Sequence, residues 1–167
     1  MKLLTEKEGL SFYLYKPTIL KPFFKQLEPI TLKRRIRLLL AYFTGYTVYY
    51  IGENNNLIGY CLVQNGKDNR YKFASEKDVI VGPYFIHEEY RGRKLSKILL
   101  EFILKQPELT FRYAYDYIHK DNIPSIKATE AVGFHYLSHA HISKFLRTIK
   151  LCEKGEGDYV VYKYIKK

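Results

Sequence analysis

Cysteine is scarce. The 167-residue chain has 2, Cys61 and Cys152, too few for a disulfide framework and without metal-ligand spacing. Two distant thiols suit a reducing, cytoplasmic setting, and Cys61, on a strand-like stretch, reads as a core residue. Long hydrophobic runs are missing too. The longest, Leu38 to Phe43, is far shorter than a bilayer crossing requires, and Glu6 and Glu8 follow soon after Leu3 and Leu4. A soluble protein without a targeting segment or a membrane partner is therefore expected. The chain also lacks a Gly-Lys-Ser/Thr phosphate loop, zinc-finger spacing, a serine-nucleophile elbow, repeats and low-complexity tracts. His135, His139 and His141 have no carboxylate or thiolate near them in sequence to complete a zinc site, so they read as surface residues and no metal is expected.

Carboxylates are in short supply: 17 Asp and Glu face 28 Lys and Arg, for a formal net charge of +11. With 17 Tyr and 10 Phe, this surplus would suit nucleic acid, because cations bind phosphate and aromatic faces stack on bases. It would equally suit an acidic small molecule. The tyrosines lie in strand-like runs where packing accounts for them, which favours the small acidic ligand over nucleic acid.

The length allows one good core, and a single domain over 1–167 is the expectation. Leu10 to Tyr15 reads as a strand. Pro17 to Leu27 reads as a short helix closed before Pro29. A longer helix is expected over Thr31 to Phe43, with Leu32, Ile36, Leu39, Leu40 and Phe43 on its apolar face and Lys33, Arg34 and Arg37 on a solvated one. Thr47 to Ile51 and Leu57 to Gln64 form an antiparallel pair through an Asn-rich turn. Tyr71 to Ala74 is partly strand-like. Val79 to Ile86, Leu109 to Ile118, His135 to Leu146 and Asp158 to Ile165 complete the strands. The order predicts an α/β fold, a mixed, mostly antiparallel central sheet flanked by helices.

The most informative stretch is 79–104. Its β-branched strand ends in a turn, and then Leu95, Ile98, Leu99, Phe102 and Ile103 repeat with helical period until Pro107. Gly82-Pro83 should interrupt the strand's ladder and leave main-chain groups of Tyr84 to Ile86 open to a ligand. Arg91-Gly92-Arg93-Lys94-Leu95-Ser96 puts a glycine, three cations and free N–H groups at the positive end of a helix, an anion site suited to phosphate. A second stretch, Asn122 to Phe134, reads as a short helix with an Asn cap, a first-turn proline and a closing Gly133.

In order and spacing these two stretches resemble motifs A and B of the GCN5-related N-acetyltransferases (GNAT), which transfer acyl groups from acyl-coenzyme A to amines. Arg91 matches motif A, whereas Lys94 and Ser96 stand where small residues are usual. Asn122, Ser125, Gly133 and Phe134 match motif B. Thr129 stands where many members carry tyrosine. The resemblance implies that acetyl-CoA is the cosubstrate, with its pantetheine arm along Phe85 and Ile86. Its pyrophosphate would sit on the N–H groups of Gly92, Arg93, Lys94, Leu95 and Ser96, near Arg91. Asn122, Ser125 and Lys127 would contact it from the second helix.

Acyl transfer needs an oxyanion donor, a base for the amine and a proton for the leaving thiolate. The Ile86 N–H is the expected oxyanion donor. Asp116, Tyr115 and Tyr84 are the candidate proton-handling groups, with Tyr117, His119, His87 and Glu88 nearby and a water relay as an alternative. Lys94 and Ser96 are expected to keep cofactor binding, because residues in a helical first turn have negative φ and do not require glycine. The implied function is N-acetyl transfer to the primary amine of a small acidic or nucleotide-linked acceptor, by a monomer or homodimer. A catalytically silent coenzyme A sensor of the same fold is the rival.

Overall fold

The computed structural model describes residues 1–29, 31–144 and 146–166. Among these residues nine strands form one sheet in the order β1-β2-β3-β4-β5-β6-β9-β7-β8. The strands are β1 (Lys2–Lys7), β2 (Leu10–Tyr15), β3 (Tyr46–Glu53), β4 (Asn56–Asn65), β5 (Val79–Ile86), β6 (Tyr113–His119), β7 (His135–Ile142), β8 (Ile149–Cys152) and β9 (Tyr159–Ile165). The helices are α1 (Leu32–Thr44), α2 (Leu95–Leu104) and α3 (Ile123–Glu130). β5 and β6 run parallel; the other neighbouring pairs are antiparallel. The mixed, mostly antiparallel sheet expected from the sequence is present.

Alternation along the strands sends side chains to two faces. Val79, Val81, Ala114, Val160 and Tyr162 meet Leu95, Leu99, Leu100, Ile103 and Leu104 of α2 in one buried core. Burying each aliphatic side chain of that helix contributes roughly 1.5–3 kcal/mol. On the other face, Leu38 and Ala41 of α1 pack with Val48, Tyr50, Tyr60 and Leu62. A third cluster gathers Tyr71, Ile80, Tyr115, Ala140, Ile149 and Val161.

β5 and β6 pair only at Val79–Ala114 and Ile80–Tyr115, and beyond those residues they diverge. The other edge of β5 keeps its partner: Tyr84, Phe85 and Ile86 lie opposite Cys61, Tyr60 and Gly59 of β4. The β4–β5 register does shift between Cys61 and Val63, beside the cis Gly82-Pro83 bond. The opening at Tyr84 to Ile86 therefore lies on the β6 side and comes from divergence. The expectation that the interrupted β4 ladder would create it is corrected.

The segment expected to be a helix over 17–27 is not helical. Its carbonyls are held from outside: the Tyr15 hydroxyl donates to Lys21 O and Phe23 O, Tyr46 to Pro22 O and Tyr50 to Lys25 O. Phe24 is buried among Tyr46, Tyr50 and Tyr60. Pro17 and Pro22 lack N–H donors, so the chain crosses the sheet as an extended strap whose acceptors the tyrosines satisfy.

Helix α1 starts where its Thr31 cap accepts from the Arg34 N–H, but the expected apolar face is not the one it buries. Leu32 and Phe43 are each 74% exposed, and Ile36, Leu39 and Leu40 are also exposed. Arg34 turns inward to Glu28 and Tyr60, and small Ala41 allows close approach, which fixes the helix's rotation. Strands β1 and β8 were not foreseen, the stretch at 71–74 contributes only an isolated bridge from Tyr71 to Ile149, and β6 begins at Tyr113, four residues after the expected Leu109.

Gly59 sits where β4 runs against the end of β5. A Cβ there would lie 2.5 Å from Ile86 Cδ1 and 2.7 Å from Phe85 O. We expect Gly59→Ala to destabilise the fold by about 1–3 kcal/mol through overpacking, measured by urea unfolding. An unchanged midpoint would show that β5 can shift at no cost.

Candidate functional site

The divergence of β5 and β6 leaves a V, and the turn after β5 closes one side of it. The His87 N–H donates to Ile58 O of β4 at 2.8 Å. Because successive N–H groups of a strand point in opposite directions, the Ile86 N–H faces away from β4, into the V. The Ile86 carbonyl accepts from Arg91 Nε at 3.2 Å, and Arg91 also pairs with Glu88 at 3.3 Å. A 3-10 turn at Glu88–Tyr90 then leads to Gly92, whose φ of +81° is open to glycine. Among the described residues, the N–H groups of Gly92 to Lys97 donate to no protein acceptor. Free N–H groups at the start of a helix are an arrangement suited to an anion.

Lys94, which caps α2, has φ 59° and ψ 20°, and makes no side-chain cap bond. The expectation of negative φ here is corrected: this is a left-handed position, the kind glycine fills most easily, and a lysine occupies it at a conformational cost of about 1 kcal/mol. Ser96 lies within the helix and carries no such constraint. Arg93 keeps its N–H in the row from Gly92 to Lys97, but its side chain does not face the cleft. It turns out of the turn to make two bonds to Glu53, at 2.6 and 3.0 Å, at the β3–β4 hairpin. It does not line the cleft.

That cleft, about 920 Å³, lies between the end of β5, the start of α2 and one side of α3. Phe85, Ile86, Arg91, Gly92, Lys94, Leu95, Ser96, Asn122, Ser125 and Lys127 all line it. Asn122 caps α3, its Oδ1 accepting from the Ser125 N–H at 3.3 Å. Tyr90 and Lys97 join the lining; Lys97, one turn into α2, was legible from its spacing to Lys94.

A second cavity, about 440 Å³, reaches the V from the α1 side, lined among others by Arg34, Arg37, Arg70, Tyr117, Arg147 and Asp116. The two cavities share Tyr84, Phe85, Asn122 and Ser125. Glu28, Gln64, Arg70 and Arg147 were missed as lining residues because they come from the strap, from β4 and from two loops, with no common local pattern. The i, i+3 spacing of Arg34 and Arg37 was visible, although both were read as solvated.

Asp116 lies in the V and is 3% exposed. Its Oδ2 accepts from the Thr129 hydroxyl at 2.8 Å. Burial pushes its pKa from 3.8 to about 7, partly offset by the hydrogen bonds from Thr129 and the Tyr117 N–H. Tyr84 donates to Ser125 O at 3.0 Å and lies 3.4 Å from Thr129 Oγ1. Burial first, and then the charge of Asp116, raise the Tyr84 pKa. Tyr115 is not with them. It is next to Asp116 on β6, so it projects to the other face, edge-on to Phe73 with ring centroids 5.2 Å apart, and lines neither cavity. Tyr117 and His119 line the second cavity, while His87 and Glu88 stay at the exposed turn.

At the far edge of the sheet, β7 and β8 bring His141 beside Cys152 and Glu156, with ligand atoms within 4.8 Å of one another. The expectation that His141 has no thiolate or carboxylate neighbour holds in sequence but not in space.

Residues 17–134 match the acetyltransferase (GNAT) family. The chain belongs to that family. Its fold is that of solved acetyltransferase structures. The ribosomal-protein-S18-alanine N-acetyltransferase from Escherichia coli is 9% identical, with a TM-score of 0.59 over 93% of this chain and 94% of that one. An acetyltransferase from Thermus thermophilus is 18% identical, with a TM-score of 0.58 over 83% of this chain and 77% of that one. The yncA protein from Salmonella typhimurium, solved with its cofactor acetyl-CoA, is 18% identical, with a TM-score of 0.54 over 80% of this chain and 69% of that one. Among curated proteins, none matches the chain.

Two outcomes follow from this geometry. Lys94→Gly relieves the left-handed position and should raise stability by up to about 1 kcal/mol, measured by chemical denaturation; a loss would show that the lysine side chain contributes more than its backbone costs. Asp116 holds its proton more tightly folded than unfolded. Its contribution therefore favours the fold at low pH and is lost as pH rises from 3.8 to about 7. Asp116→Asn should flatten that fall, so that the variant gains on the wild type between pH 3.8 and about pH 7 and keeps a constant margin above that in parallel melts. Identical pH profiles would show that the carboxyl is not desolvated.

Proposed function

We propose that this protein moves an acetyl group from acetyl-CoA to the primary amine of a small, negatively charged acceptor. One observation carries the reading: two cavities on opposite sides of the sheet meet at Tyr84, Phe85, Asn122 and Ser125, where the strands part. The larger cleft fits a long cosubstrate with a diphosphate. Its floor is a row of uncommitted N–H groups, Arg91, Lys94, Lys97 and Lys127 supply positive charge, and the edge of β5 is open beside it. Bound there, acetyl-CoA supplies an activated thioester.

The chain's own groups then have separable tasks. The N–H groups of Gly92 to Ser96 hold the diphosphate. The Ile86 N–H, turned into the V, offers a fixed donor to the oxygen on which charge develops. Asp116, with a pKa of about 7, is poised to take a proton from an ammonium at neutral pH. Asp116 Oδ2, Thr129 Oγ1 and Tyr84 Oη form a line: protonated Asp116 donates to Thr129, the Thr129 hydroxyl turns to donate to Tyr84, and the Tyr84 proton leaves Ser125 O for the departing thiolate. Thr129 thus serves as a link in this line rather than as the acid itself, and Tyr84 brings the phenol from β5.

Calorimetric titration with acetyl-CoA and thiol release over a panel of amines test the reading. Binding in the sub-millimolar range is expected, with turnover on at least one amine. Tyr84→Phe and Asp116→Asn should each lower kcat by about 10²-fold while leaving acetyl-CoA affinity nearly unchanged. Absence of acetyl-CoA binding would sink the proposal, and tight binding without turnover on any amine would favour a coenzyme A sensor.

A further inference from the structure

The walls of the smaller cavity carry four arginines and two carboxylates, Glu28 and Asp116. Two of the arginines already have partners. Arg34 is bonded to Glu28 and Tyr60. Arg70 is 2.7 Å from Asp68, with a further bond to Gln64 at 3.1 Å. The other two do not. Arg37 spends only its Nε, on Lys33 O at 3.1 Å, and Arg147 lies 5.9 Å from the Tyr159 ring centroid. Among the described residues neither has a carboxylate partner.

Both are half-buried and line the same cavity. Arg37 also feels the like charges of Arg147, Arg34 and Arg70 which, after desolvation by burial, weaken its hold on its proton. Guanidinium groups gathered in a concave, partly desolvated site without counter-ions repel one another, and an oxyanion accepting from their free N–H groups would remove that cost. The remaining Nη groups are the ones shaped for two-point contact with carboxylate or phosphate oxygens.

We propose that Arg37 and Arg147 form an anion clamp that grips a carboxylate or phosphate on the acceptor and so selects amines carrying such a group at the end remote from the amine. This rests on the acetyltransferase reading for the identity of the ligand, though the clamp itself is a property of the cavity. The clamp faces the V from the α1 side, while the diphosphate turn lies beyond it at the start of α2. The two anion sites therefore address different molecules.

Nitrogen-15 spectra of the full chain resolve arginine Nε–H signals, and the variants Arg37→Gln and Arg147→Gln assign the two concerned. Inorganic phosphate and succinate, titrated in parallel, should shift both signals saturably in the wild type. In each single variant the remaining arginine's signal should respond with affinity weaker by about tenfold or more. The tighter probe identifies the acceptor's anionic group as phosphate or carboxylate. Acetyl-CoA binding in the same samples, unchanged within about twofold, reports that the variants are folded. Neither signal responding in the wild type, or one responding with unaltered affinity when the other arginine is removed, would overturn the clamp. Failure of acetyl-CoA to bind the wild type would defeat the enzymatic reading alone, since the anion titration probes the arginines without the cosubstrate.

Discussion

The parting of β5 from β6 after two paired residues is the constraint on which the site depends. A continuous parallel ladder would consume the main-chain groups of Tyr84 and Ile86 and seal one face of the sheet from the other. Divergence leaves these groups facing a gap, places buried Asp116 of β6 on the cavity lining, and lets cavities on opposite faces meet. The strands stay apart because each is held on its far side, β5 by β4 and β6 by β9 along its whole length. α3 packs across the α2 side of the gap, with Ser125 in its lining and buried Thr129 bonded to Asp116. What looks like a defect in the sheet is maintained by the pairing around it.

Charge is distributed around this gap with some economy. The cleft beside α2 combines uncommitted backbone N–H groups with the side chains of Arg91, Lys94, Lys97 and Lys127. The cavity beside α1 relies on side chains whose positive charges are only partly matched. Asp116 sits between the two, and its burial holds it near the midpoint of titration rather than fully ionised. The net charge of +11 therefore has a local expression as well as a global one, since four of the arginines line one cavity.

Much of this was legible in the sequence where local chemistry decides the outcome. The β-branched run of β5, the period of α2, and the Asn122 cap with Pro124 after it are short-range signals, and the structure keeps the bounds of β5 and the starts of both helices, which end a little earlier than read, at Leu104 and Glu130. Most of the cleft lining followed from them, because the strand, turn and helix that build it are contiguous. What was not legible depends on partners distant in the chain. The strap at 17–27 has helix-compatible residues, yet hydroxyls from β2 and β3 claim its carbonyls. The rotation of α1 is set by Arg34 reaching Glu28 and Tyr60, against its hydrophobic pattern. Tyr115 and Asp116 are neighbours in sequence, but alternation sends them to opposite faces. The left-handed backbone of Lys94 was missed because the residue type argues against it. A motif position usually filled by a small residue was the available clue.

The strap has an implication for how the cavity beside α1 could change. Its course is fixed by phenolic hydroxyls bonding to main-chain oxygens at Lys21, Pro22, Phe23 and Lys25, and every amino acid brings such an oxygen. Apart from buried Phe24, the identities along this stretch are therefore weakly tied to its path. Since the segment leads to Glu28 on the lining of the α1-side cavity, the entrance to that cavity can be rewritten through its side chains while the scaffold beneath keeps its shape.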